Sequence, residues 1–209
     1  INSYLAIKYG VTLDQSAADL DYLAADGTVV WDASANTTYK NDIAGIGRDD
    51  DQSLSQIKSK SQSSDGILTV HAANEGTSNA IGDITWSAMA DKEFFMWGND
   101  GGAITMTTTN APADCKKITR TWYVQESADV GTLTFTFDVD DADFNVPALT
   151  CGATSYVLMY DTDADLDGGT VVKLYDDGAT AGDVTGSDGV WTNNTINMAT
   201  GTFFSIGQV

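Results

Sequence analysis

The clearest alternation of apolar and polar positions lies in Thr132–Val139. Leu133, Phe135 and Phe137 fall on one side and Thr132, Thr134 and Thr136 on the other. A period of two is that of a strand with one buried and one wet face. Runs of the same kind, rich in Val, Ile, Thr and aromatics, predict further strands at Thr28–Trp31, Ile43–Gly47, Ile67–His71, Glu93–Gly98, Ile118–Val124, Ser155–Tyr160, Thr170–Tyr175, Gly189–Thr192 and Thr202–Ile206. Clusters of Gly, Asp, Asn and Ser separate them. One segment breaks the pattern. Asn2–Tyr9 holds no Gly or Pro, and Tyr4, Leu5 and Ile7 give it an apolar side. Gly10 stands where a left-handed residue closes a helix. About ten short strands with turn punctuation and one short N-terminal helix predict an all-β chain, folded as a single β-sandwich. Pro112 and Pro147 mark no linker and no internal repeat is visible, so one domain over 1–209 is expected.

Composition adds a charge and a compartment. The chain is 42% apolar, with five Trp, eight Tyr and seven Phe, which is enough to fill a core. Thirty Asp+Glu against ten Lys+Arg give a net charge of −20, a surface that repels nucleic acid and anionic membrane. Glu occurs only at Glu75, Glu93 and Glu126; every other acid is Asp. Asp favours turns where Glu favours helices, so the carboxylates belong in the loops. Cys115 and Cys151 lack C-x-x-C spacing, which leaves a disulfide or two buried thiols, and a secreted chain favours the disulfide. No apolar stretch is long enough to span a bilayer and no signal peptide opens the chain. A module of a larger secreted protein is expected.

The strongest local signal is Asp161-Thr-Asp163-Ala-Asp165-Leu-Asp167-Gly168. In an extended run these carboxylates would line one face about 7 Å apart, which is unfavourable without a cation. Curled into a loop they suit calcium, which takes six to eight oxygens. Asp163, Asp165, Asp167 and Gly168 match the opening of an EF-hand loop, but Leu174 stands where the closing Glu belongs and no helix follows. The reading is a generic calcium loop, with a solvated Asp run as the alternative. Asp176, Asp177, Asp183 and Asp188 follow in Gly-rich turns, making eight Asp between 161 and 188 against the single cation Lys173. Asp49, Asp50 and Asp51 form a third candidate ion site, unless Arg48 pairs with them. Asp26-Gly27 and Asp32 are weaker. Several Ca2+ ions are expected. Catalysis is not. His71 is the only histidine, sits in a strand and has no partner motif, and the carboxylates lie in turns apart from the aromatic strand residues.

Five stretches belong together: Ile1-Asn-Ser-Tyr-Leu-Ala-Ile-Lys-Tyr-Gly-Val-Thr-Leu-Asp14, Val30-Trp31-Asp32-Ala33, Asn41-Asp42-Ile43-Ala44-Gly45-Ile46-Gly47-Arg48-Asp49-Asp50, Phe94-Phe95-Met96-Trp97-Gly98-Asn99 and Ile118-Thr119-Arg120-Thr121-Trp122. In order and spacing the chain resembles modules in the ligand-binding region of bacterial repeats-in-toxin (RTX) adhesins. The resemblance implies an extracellular place on the bacterial surface, calcium, and adhesion to a peptide or protein C-terminus on another cell. The isolated module is expected to be monomeric. Two alternatives stand beside this. One is a glycan-binding module with Trp31, Trp97 or Trp191 as a stacking platform. The other is a spacer that calcium merely stiffens.

Overall fold

A computed structural model of the chain describes residues 2–63, 66–72, 89–138, 156–176 and 190–209, with the backbone alone at 175–176 and 190–195. Helix α1 spans Asn2–Tyr9, as predicted. It ends as the sequence requires. Gly10 has φ +62°, its N–H donates to Ile7 O and that of Val11 to Ala6 O, the paired bonds of a Schellman cap. The buried side differs from expectation. Ala6 and Ile7 are buried and Tyr4 half-buried, whereas Leu5 is 44% exposed. Tyr4 and Ile7, three apart, share a helix face that Leu5 does not.

The described residues form sixteen strands: β1 Tyr22–Leu23, β2 Val29–Trp31, β3 Asn41–Asp49, β4 Leu54–Gln56, β5 Lys58–Lys60, β6 Leu68–Ala72, β7 Phe94–Asn99, β8 Met106–Thr107, β9 Lys116–Ile118, β10 Trp122–Glu126, β11 Leu133–Asp138, β12 Tyr156–Asp161, β13 Thr170–Lys173, β14 Tyr175–Asp176, β15 Val190–Ile196 and β16 Phe203–Gln208. The chain is all-β, and every pairing is antiparallel. A nine-stranded sheet runs β13-β12-β16-β10-β7-β3-β4, with β9 joined to β16 and β8 to β9. A five-stranded sheet runs β14-β15-β11-β6-β5, and β1 pairs β2.

The two large sheets share one apolar core. Phe95, Trp122 and Phe204 from the nine-stranded sheet meet Phe135 and Phe137 of β11, with Phe135 edge-on to Phe95 at 6.0 Å and to Phe204 at 5.4 Å. The inward half of the alternation is correct, since Leu133, Phe135 and Phe137 are all buried; the outward half is not fully wet, since Thr134 is buried too and Thr136 only half-exposed. The other face of the nine-stranded sheet is covered too. α1 and the β1-β2 hairpin lay Ile7, Tyr22 and Trp31 over Ile43, Phe94 and Met96. Coverage on both faces is why β7 reads as an unbroken apolar run rather than an alternating one.

Two predicted strands are each two strands. Thr170–Tyr175 divides at Leu174, where the chain leaves β12 in one sheet to pair β15 in the other. Leu174 is fully buried and its N–H donates to Tyr156 O at 3.0 Å. Ile57 makes the corresponding switch between β4 and β5. Ile118–Val124 divides at Thr119-Arg120-Thr121. Lys117 faces Gly207 while Trp122 faces Phe204, so five steps along one strand oppose three on the other. The extra residues bulge out, and Ser205 Oγ fills the gap by donating to Arg120 O at 2.7 Å. The strand signal continues through the bulge because β-propensity does not encode register.

Candidate functional site

The Asp161–Gly168 loop leaves the end of β12 and is tied down at one point. Leu166 is fully buried against Cys115, Val157 and Met159. Around this anchor three of the four carboxylates cap a local N–H. Asp161 Oδ1 accepts from Thr162 N at 2.6 Å, Asp163 Oδ1 from Asp165 N at 2.9 Å, and Asp165 Oδ1 from Asp167 N at 3.3 Å. The last of these caps a 3-10 turn at Leu166–Gly168. Asp and Gly form such turns because the short carboxylate reaches a backbone N–H two residues on. Asp163, Asp165 and Asp167 are exposed and Asp161 half-buried. Among the described residues none of the four makes an ion pair. The run thus presents hard oxygen donors that no described residue pairs with, though Lys117 lies near enough to feel the charge of Asp165; such donors are the chemistry a calcium ion takes. As the loop stands, no three His, Cys, Asp or Glu side chains among the described residues are gathered as a metal-binding group. Of the second run, Asp176 is described in its backbone alone, and Asp177, Asp183 and Asp188 lie outside the described residues, as does Cys151. Cys115 is buried, which pushes its thiol up.

Asp49, Asp50 and Asp51 have a different environment. Arg48 grips Asp50 with two bonds, 2.7 and 2.9 Å. Lys92 binds Asp49 and also reaches Asp51 at 2.9 Å. Asp49 is fully buried and also accepts from Ala25 N at 2.7 Å. Burial alone would raise its carboxyl, but the hydrogen bonds from Lys92 and Ala25 outweigh it and hold the carboxyl below its usual range. Asp50 is held low by Arg48. Arg48 was legible beside these acids in the sequence. Lys92, forty-three residues from Asp49, was not. Asp26 and Asp32 cap their own turns, through Thr28 N and Ala35 N.

The segments that carry the resemblance are mostly packing. In the β3–β7 pair Gly45 faces Met96 and Gly47 faces Phe94. A Cβ at Gly45 would overlap the Met96 thioether, and one at Gly47 the Phe94 ring. Asp42 and Arg120 are paired in the interior at 3.5 Å, and Asn99 Nδ2 donates to the same Asp42 oxygen at 2.7 Å. Trp31 and Trp97 are buried, so neither offers a face to a sugar, and the side chain of Trp191 is not among those described.

A family model described as "Domain of unknown function (DUF8202)" matches residues 1–200. The chain belongs to the DUF8202 family. No curated protein matches it, and no solved structure does. In this DUF8202 domain the family match takes in α1, the strands from β1 to β15 and the Asp161–Gly168 loop, and ends just before β16. No helix among the described residues is long and apolar enough to cross a membrane.

Proposed function

We propose that this DUF8202 domain is a calcium-binding β-sandwich module of an extracellular bacterial surface protein, adhesive rather than catalytic. Its ligand is a peptide or protein C-terminus on another cell. The observation that carries the reading is the Asp161–Gly168 loop, with four carboxylates in seven residues, local N–H caps and no ion-pair partner among the described residues. Asp161, Asp163, Asp165 and Asp167 hold the ion, and the Asp176–Asp188 run supplies further sites. A calcium ion bound by fewer protein oxygens than it takes keeps positions open for a ligand carboxylate. On a surface of net charge −20 such an ion is also what makes an anionic partner acceptable.

A second reading, a glycan, rests on a polar cleft of about 470 Å3 beside the loop, lined by Tyr39, Asp100, Lys117, Thr119 and Ala164. Tyr39 stacks on Tyr123 at 5.4 Å, and both are half-buried. Aromatic faces among paired donors and acceptors suit sugars. The test begins with calorimetry of chelator-stripped protein titrated with calcium. Peptide and glycan arrays with and without chelator follow. Chelator-sensitive binding of a free-acid peptide, lost on C-terminal amidation, supports the first reading. Binding to glycans alone supports the second, and the absence of calcium uptake overturns the metal site.

A further inference from the structure

The cleft beside the Asp161–Gly168 loop is assembled from four separate places. Tyr39 comes from the 3-10 turn at Thr37–Tyr39, Asp100 follows β7, Lys117 lies on β9, and Ala164 belongs to the loop. Asp100 and Lys117 are the charged residues of its lining, and they form no ion pair with each other. Thr121 holds both instead. Its N–H donates to Asp100 Oδ1 at 3.1 Å, and its hydroxyl accepts from Lys117 Nζ at 3.1 Å. The Gly102 N–H also donates to Asp100 Oδ1, at 2.8 Å, while Oδ2 takes no hydrogen bond from any described residue. Lys117 is 4% exposed and gives a second N–H to Ile118 O at 3.1 Å. Both of its acceptors are neutral, and an ammonium has three N–H groups, so one is uncommitted. Burial pushes this ammonium down, and the charges of Asp100 and Asp165 oppose that. Tyr39 rests one face of its ring on Tyr123 at 5.4 Å, and its hydroxyl meets no described partner. Opposite charges that share a cleft without closing on each other leave an acceptor and a donor for a third group to bridge.

We propose that this cleft binds a neutral pyranose sugar without calcium, its ring against Tyr39 and a pair of its hydroxyls bridging the Asp100 carboxylate and the Lys117 ammonium. A hydroxyl both donates and accepts, so neighbouring hydroxyls serve a carboxylate and an ammonium at once. The flat C–H face of a pyranose suits an aromatic ring that stands among such polar groups. The charges decide between sugar classes. An anionic sugar would meet Asp100 directly, Asp165 nearby and a chain of net charge −20, against the single cation of the cleft. A neutral one meets a balanced pair. This rests on the glycan reading above and sharpens it, because it names the sugar class and the residues that hold it and takes no oxygen of the sugar to a metal.

The test uses the whole chain in chelator and follows methyl β-galactoside, methyl α-glucoside and methyl α-mannoside by saturation-transfer difference NMR, with methyl β-glucuronide as the anionic control. Binding of a neutral glycoside and not of the glucuronide supports the cleft. Asp100→Asn keeps the acceptor oxygen for Gly102 and Thr121 and removes the charge; it should bind the neutral glycoside roughly tenfold more weakly at an unchanged melting temperature. Tyr39→Ala should weaken binding as well, and Tyr39→Phe, which keeps the ring, should restore most of it. A glucuronide that binds as well as the neutral sugars, undiminished binding by both Asp100→Asn and Tyr39→Ala, binding that appears only in calcium, or no binding of any glycoside overturns the proposal. The glycan arrays separate the two failures. Array binding that these variants leave unchanged moves the sugar site elsewhere and spares the glycan reading, whereas arrays that bind nothing end that reading itself.

Discussion

Glu126 should couple the stability of this domain to pH in the direction opposite to Asp49 and Asp50. It ends β10, with its backbone clasped by Thr200: the Glu126 N–H donates to Thr200 Oγ1 at 2.7 Å, and that hydroxyl donates to Glu126 O at 3.0 Å. The side chain is half-buried, and Oε1 is sealed from water without a hydrogen-bond partner. Burial pushes its carboxyl up to about 7; a hydrogen bond from Val130 N–H opposes this and nearby Asp129 adds to it. An unfolded Glu titrates near about 4.3. Between those values the folded chain binds more protons, so the contribution of Glu126 is fully present below the unfolded value and is lost as pH rises through about 7. At full weight the shift corresponds to about 3–4 kcal/mol; water reaching the rest of the carboxyl screens it to about 1–2 kcal/mol. Glu126→Gln keeps the shape and removes the charge. It should raise the melting temperature at pH 8 by about 2–8 °C and change little at pH 4. Thermal melts of both proteins from pH 4 to pH 8 in one buffer series measure it. A difference that is the same at every pH, or a variant less stable at pH 8, refutes the reasoning.

Asp163→Ala and Asp165→Ala should each weaken calcium uptake by calorimetry and lower the melting temperature in calcium, with little change in chelator; equal loss in both conditions would assign them to the turn alone. Lys92→Met removes the cation bound to buried Asp49, so it should lower the melting temperature at pH 7. The stability that Asp49 gains from its low carboxyl is present above the unfolded value of about 3.9 and lost in acid, so that deficit should shrink below about pH 4, and a deficit constant down to pH 2 would contradict the ion pair. Gly10→Ala puts a Cβ against the carbonyl of Lys60 at a left-handed φ, which should cost about 2–4 kcal/mol in denaturant unfolding.

Local signals of the sequence determined local structure. The period of two at β11 placed Leu133, Phe135 and Phe137 inward, and eight residues free of Gly and Pro with an apolar side, closed by Gly10, placed α1 and its cap. The Asp–Gly turns were legible because a carboxylate and its N–H lie two residues apart, and the loop at Asp161–Gly168 forms from such bonds. What sequence could not supply is whatever depends on partners distant along the chain. The Asp49–Asp51 acids read alike with those at Asp161–Asp167, yet Lys92 comes from the turn before β7 to pair with Asp49 and Asp51, and no described residue forms an ion pair with the second group. Leu174 reads as an ordinary strand residue and Ile57 falls in no predicted strand, yet both are points where the chain changes sheets. Lys8 of α1 and Lys58 of β5, fifty residues apart, line one groove. Burial, pairing and electrostatic surroundings are properties of residues gathered from separate strands, and only the folded register of the two sheets decides which ones meet.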